Sequence, residues 1–212
     1  MPARKIVFWE VDAQADFMLP GGNLYVPGAE KLIPNIKRLV DAAREGRVFL
    51  VSSGCRHGQN DPEFKTFPPH CIRGTQGARI IPEGLAVKFY TIPNDDNFKL
   101  PRDLLKYQQA VIEKQELDVF SNPQTSALVD LFGKDVEYIV FGVVTEYCVR
   151  LAAKGLLQRG RKVSIVKDAI ETLKPEEGRR TLAELKSLGA ELITTAEALA
   201  AVNVDSQKSA HH

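Results

Sequence analysis

Tyr138-Ile139-Val140-Phe141-Gly142 is an unbroken apolar run halted by a glycine, and from Cys148 to Arg159 the spacing turns helical until Gly160. A run without polar alternation reads as a strand buried on both faces, which suits a parallel sheet covered by helices. The same grammar repeats outward in both directions. Toward the C-terminus, Lys162 to Val166 reads as a strand, Pro175 to Leu188 as a helix closed by Gly189, and Glu191 to Ile193 as a last strand. Toward the N-terminus, Ile6 to Val11 is a buried strand ending in Asp12, and Val48 to Ser52 is another. Between them Ala29 to Glu45 sets Leu32, Ile33, Ile36, Leu39, Val40 and Ala43 at helical spacing before Gly46. A long irregular segment rich in Gly, Asn, Pro and His then runs to about Gly77, followed by a weak strand at Ala110 to Ile112 and a helix over Asn122 to Phe132. The alternation predicts an α/β fold of three layers, a mainly parallel sheet flanked by helices on both faces, with ligands bound past the C-terminal strand ends.

The chain has 212 residues, and at ~150 residues per domain a single domain over 1–204 is expected. Residues 205–212 read as a polar tail whose closing His211 and His212 look like the stub of a purification tag. Apolar types make up 44% and charged types 26%, which excludes disordered, collagen-like and disulfide-scaffold classes. Lys plus Arg number 28 against 27 for Asp plus Glu, a net charge of +1. With no long run of one sign, neither nucleic acid nor an anionic membrane is an expected partner, and a small molecule is. Three cysteines without paired spacing, Cys55, Cys71 and Cys148, suit a reducing compartment, and the start of the chain leads into a strand rather than a signal peptide, so a cytoplasmic location is expected. No Gly-rich phosphate loop and no internal repeat occurs.

Cys148 lies where a strand gives way to a helix, in Gly142-Val143-Val144-Thr145-Glu146-Tyr147-Cys148-Val149-Arg150. A thiol there feels the positive end of the helix dipole, which favours the thiolate, and the turn exposes backbone N–H groups able to hold an oxyanion. On position alone a buried structural cysteine fits as well. A nucleophilic thiolate needs a proton acceptor. Outside the tail the histidines are His57 and His70, in one loop, while Asp12 ends the first strand and Lys114 the weak central one.

These residues resemble the isochorismatase-like cysteine hydrolases, from about Ile6 to Leu199. The resemblance rests on Asp12-x-Gln14-x-Asp16-Phe17, on Lys114 followed by Phe120 and Asn122, and on Gly142-Val143-Val144-Thr145-Glu146-x-Cys148-Val149. It implies a triad of Asp12 as general base, Lys114 as electrostatic partner and Cys148 as nucleophile. It also implies a cis peptide at Val143-Val144 and an oxyanion hole from the N–H groups of Val144 and Cys148. Within the family, Cys55-Arg56-His57, Glu63-Phe64 and Pro68-Pro69-His70-Cys71 followed by Gly74-Thr75-Gln76-Gly77-Ala78 resemble the nicotinamidases. That likeness implies His57, Glu63 and His70 as ligands of a divalent metal, zinc before iron or manganese. Cys55 stands where the family has Asp and becomes a fourth ligand or a bystander.

By the same likeness Phe17 and Phe67 sandwich the substrate ring. Cys71 is read as packing, Trp9 and Glu10 as structural, and Gln14 and Asp16 as ordering the loop around Asp12, or Asp16 as a carboxylate behind the metal. The implied activity is cleavage of nicotinamide to nicotinate and ammonia through a thioester, in pyridine nucleotide salvage, by a homo-oligomer. The alternatives are a metal-independent cysteine amidohydrolase acting on a ureido or carbamoyl substrate, and a non-catalytic binding protein of the same fold.

Overall fold

A computed structural model describes residues 6–209. Seven strands form one sheet in the order β3-β4-β2-β1-β5-β6-β7, all parallel: β1 Ile6–Val11, β2 Phe49–Cys55, β3 Phe89–Ile92, β4 Gln109–Lys114, β5 Glu137–Gly142, β6 Lys162–Ile170 and β7 Glu191–Ile193. The helices are α1 Ala15–Met18, α2 Ile33–Arg44, α3 Thr125–Leu131, α4 Arg150–Gln158, α5 Pro175–Ser187 and α6 Thr195–Ser209. The period of two along β1 shows why there are three layers. Phe8 turns toward Ile36, Leu39 and Val40 of α2 and Ala198 and Val202 of α6, whereas Val7, Trp9 and Val11 join Leu128 of α3, Ala152 and Leu156 of α4 and Leu185 of α5. Both faces of the strand are buried because both are covered, as expected.

Like the short α1, β3 and α6 escape the sequence pattern. β3 is a four-residue edge strand, mostly exposed apart from Ile92, so it carries no buried run. α6 is rich in Ala and lacks a clear apolar stripe, and it runs through the boundary at 204 where the tail was expected to begin. The tag reading of His211 and His212 lies outside the described residues. No described helix is long and apolar enough to cross a membrane.

The strand order sets up the site. β1 lies between β2 and β5, and Val11 is in register with Ser53 on one side and Gly142 on the other. On the next strand out, Cys55 is in register with Lys114. The C-terminal ends of β4, β2, β1 and β5 therefore form one rim. Gly142 is required there: its φ is +113°, and a Cβ would run into the Val11 backbone.

Candidate active site

Asp12 follows β1 with φ +47° and is buried. Its backbone N–H donates to the Ser53 carbonyl at 3.2 Å, and its Oδ1 accepts from the Ser53 hydroxyl at 2.6 Å. The other oxygen, Oδ2, lies 2.9 Å from Nζ of Lys114, an ion pair in which both side chains are essentially inaccessible to water. The same ammonium donates to Cys55 Sγ at 3.0 Å, to the Glu116 carbonyl at 3.2 Å and to Cys148 Sγ at 3.6 Å. Lys114 is thus the hub of the rim. Burial acts to lower its pKa, but the Asp12 carboxylate and the two thiols outweigh that and hold it well above the usual lysine range.

Cys148 sits in a π-helical turn, Thr145–Val149, that precedes α4, and the peptide Val143-Val144 is cis as the resemblance implied. The expectation that the helix dipole would favour the thiolate needs correction. Burial pushes the Cys148 thiol well above its ordinary range, with the Lys114 ammonium opposing and Asp12 reinforcing that shift. Position at the helix start is outweighed by loss of water.

The loop after β2 brings the imidazoles to the same rim. Ligand atoms of Cys55, His57 and His70 all lie within 4.8 Å of one another. Glu63 is outside that tight set, with Oε1 3.7 Å from Nε2 of His70. The sequence placed Glu63 among the ligands ahead of Cys55; in the structure Cys55 lies inside the tight set and Glu63 at its edge. Cys55 gains its place because β2 carries it in register beside Lys114, while Glu63 rides on the short turn Pro62–Lys65. The two buried imidazoles are held differently. Nδ1 of His70 lies 2.8 Å from the Pro68 carbonyl, which makes it the donor and leaves Nε2 as a lone pair; burial lowers this imidazole's pKa, and the carbonyl opposes the shift. His57 is fully buried, and neither ring nitrogen completes a hydrogen bond. Its Nδ1 stands 3.1 Å from Asp61 Oδ2 on a bent approach, and Nε2 has no partner.

A buried unpaired polar atom costs about 1–3 kcal/mol, and a metal ion on Nε2 would remove that cost. One sulfur, two imidazole nitrogens and a nearby carboxylate form a borderline-soft donor set that fits zinc better than iron or manganese. The thiol is protonated in the metal-free chain: burial, with Asp12 adding to it and Lys114 opposing, pushes Cys55 to about 12. Binding a metal through Cys55 therefore releases a proton.

Triad and cluster each send residues into one pocket, with Lys114 and His57 behind its wall. It is lined by Asp12, Phe17, Cys55, Glu63, Phe67, His70, Val144 and Cys148, together with Leu24, Leu117, Val143, Tyr147 and Leu173, and encloses about 360 Å³ including its open mouth. Phe17 packs on the His70 ring at 5.2 Å between centroids, and Phe67 meets Tyr147 edge-on at 5.7 Å. Tyr147, Leu117 and Leu173 were not singled out in the sequence, although each lies just past a strand end. Gln14 accepts from the Cys55 N–H at 2.6 Å and donates to the Cys55 carbonyl at 2.9 Å, clamping that residue. Asp16 accepts from the backbone of Cys71 at 2.7 Å and of Asn23 at 3.0 Å, so of its two sequence readings the loop-ordering one holds. Cys71 is wholly buried packing, as expected.

The isochorismatase domain model matches residues 7–89 and 91–197. The nicotinamidase of Escherichia coli is 25% identical over 228 residues, covering 93% of this chain and 97% of the relative. An Arabidopsis thaliana protein named a probable inactive nicotinamidase is 23% identical, covering 88% of this chain and 91% of that one. The solved pyrazinamidase of Pyrococcus horikoshii in complex with zinc superposes with a TM-score of 0.72 at 28% identity, covering 90% of this chain and 99% of that chain.

Proposed function

Since the chain belongs to the isochorismatase domain family, we propose that it is a cysteine amidohydrolase that cleaves the carboxamide of nicotinamide to nicotinate and ammonia. The observation that carries the reading is the contact chain from Asp12 through Lys114 to Cys148, closed at 2.9 and 3.6 Å in the pocket that His70 and Cys55 also line. A non-catalytic protein has no need of a fully buried lysine held by a carboxylate beside a thiol. That arrangement argues against extending the inactive name of the Arabidopsis relative to this chain.

Asp12 takes the proton of Cys148 as the sulfur attacks the carboxamide carbon, and Lys114 keeps the carboxylate and the developing thiolate together. The N–H groups of Val144 and Cys148 hold the charge that develops on the carbonyl oxygen. Asp12 returns the proton to the departing ammonia, leaving a thioester on Cys148, and then draws a proton from the water that resolves it. Phe17 and Phe67 pack the two faces of the ring and exclude solvent. Cys55, His57 and His70, with Glu63 beside them, would hold a divalent metal, zinc by donor chemistry. Bound there, it supplies a Lewis acid that anchors the ring nitrogen.

Metal analysis of the purified protein, paired with ammonia release from nicotinamide and a panel of ureido and carbamoyl amides, tests this reading. The expected result is about one zinc per chain and preference for nicotinamide. Metal-free protein active on a carbamoyl substrate moves the assignment to the metal-independent amidohydrolase.

A further inference from the structure

Two imidazoles in the cluster are oriented by different means. His70 presses Nδ1 against a backbone carbonyl of its own loop, 2.8 Å from the Pro68 oxygen. His57 has no carbonyl in that role. Its backbone is pinned, since its N–H donates to the Cys71 carbonyl at 3.1 Å and its carbonyl accepts from Arg73 at 2.9 Å. Its ring is confined by Phe64 and His70, at centroid distances of 5.4 and 4.7 Å. The acceptor near its Nδ1 is the side chain of Asp61, 3.1 Å away and only 6% exposed.

Asp61 is committed on its other side as well. Its Oδ1 accepts from the Glu63 N–H at 3.0 Å, capping the turn Pro62–Lys65 on which Glu63 rides. Gln115, the residue after Lys114, approaches Oδ2 at 3.4 Å. One carboxylate therefore touches the loop histidine, the glutamate turn and the end of β4.

We infer that Asp61 is a positioning residue of the metal cluster, taking the Nδ1–H of His57 through one oxygen while fixing the Glu63 turn through the other. The inference rests on the metal reading above and goes beyond it, because Asp61 is no ligand in that reading. An imidazole whose Nδ1 proton faces an acceptor offers Nε2 as its lone pair; neither nitrogen of His57 completes a hydrogen bond, but Nδ1 is the one that faces the Asp61 carboxylate, 3.1 Å away, which leaves Nε2 for a ligand. Both histidines then present the same tautomer to Cys55, one set by a carbonyl and the other by a carboxylate.

The experiment compares wild type, Asp61→Asn and Asp61→Ser. Asn keeps the cap oxygen but puts an NH2 donor where Oδ2 faces His57; Ser keeps the cap but is one atom too short to meet His57. Histidine tautomers are read in metal-free protein by long-range proton–nitrogen correlation at a pH where both imidazoles are neutral, with His70 as the internal standard. Zinc affinity is read by chelator competition. The expected results are an Nδ1–H tautomer for both histidines in wild type, loss of that signature at His57 alone in Asp61→Ser, and zinc binding about 10- to 100-fold weaker in that variant. Asp61→Asn should lose the His57 signature as well, because its single oxygen stays with the cap and its amide donates toward Nδ1. An Nε2–H tautomer at His57 in wild type, or wild-type zinc affinity in Asp61→Ser, overturns the inference. If wild type binds no zinc, the metal reading fails by itself, and the tautomer comparison still decides the role of Asp61.

Discussion

Asp12, Lys114 and Cys148 hang from the ends of β1 and β4 and from the turn after β5, and sheet register fixes their separations: Cys55 opposite Lys114, Val11 opposite Gly142. His57, Glu63 and His70 ride on the segment between β2 and β3, held by an isolated bridge from His57 to Ile72, the Pro68 carbonyl and the side chains of Asp16 and Asp61. Asp12 and Cys148 from the one group and Glu63 and His70 from the other line one pocket, and Cys55 belongs to both, 3.0 Å from Lys114 and inside the imidazole cluster. On the proposed roles, the difference teaches that reacting groups are placed by the part of the fold hardest to deform, and the groups that choose what binds by the part easiest to vary.

The largest effect should come from the rim. Cys148→Ala should lower ammonia release by several decades while the circular dichroism spectrum stays unchanged, because alanine offers no substitute nucleophile. Appreciable turnover by a folded variant would remove Cys148 from its role. Asp12→Asn and Lys114→Ala should be nearly as damaging, since groups acting as a unit are strongly non-additive. Lys114→Ala should also destabilise the fold by about 3–5 kcal/mol, because it leaves the buried Asp12 charge unpaired. An active, stable Lys114→Ala would sink the triad.

Changes in the loop should act through the metal and spare the thiol. His57→Ala and His70→Ala should each lose zinc and cut turnover on nicotinamide, while alkylation of Cys148 by iodoacetamide proceeds at a rate close to wild type. Full metal content and activity in both would break the contrast between the two regions. Cys55 sharpens it: cobalt-substituted protein should show sulfur-to-metal charge transfer that vanishes in Cys55→Ser, and an unchanged spectrum would make Cys55 a neighbour of the triad only.

The smallest effect on turnover is expected at Glu10, on β1 two residues before Asp12. Glu10 is fully buried and receives a hydrogen bond from Ser52 at 2.7 Å, but its Oε1 is unpartnered, and burial raises its pKa to about 8. A carboxyl that binds its proton more tightly when folded contributes stability that is complete below its unfolded value of 4.5 and is lost as pH rises toward about 8. Glu10→Gln should leave activity unchanged and flatten the stability profile over that window, by an amount on the order of a few kcal/mol. An unaltered slope in urea denaturation across it would show that Glu10 does not carry the effect.

The sequence was most readable where burial is two-sided. β1, β2 and β5 announce themselves as apolar runs, and the residues at their ends became the rim. β3 could not be read this way, because an exposed four-residue edge strand leaves no such run, nor α6, whose alanines give no stripe. In the loop, the histidines were visible as residue types. That Cys55 would lie inside the tight cluster and Glu63 at its edge, and that Asp61 would stand behind His57, depends on β2 register and on a turn closed by its own cap, neither of which has a local signature.

The central claim is a thioester on Cys148, and turnover of nicotinamide in the presence of hydroxylamine tests it most directly. A thioester predicts that nicotinohydroxamate forms alongside nicotinate in a ratio that rises with hydroxylamine concentration, with both products lost in Cys148→Ala. Nicotinate as the sole product at every hydroxylamine concentration, with turnover preserved in Cys148→Ala, would contradict it.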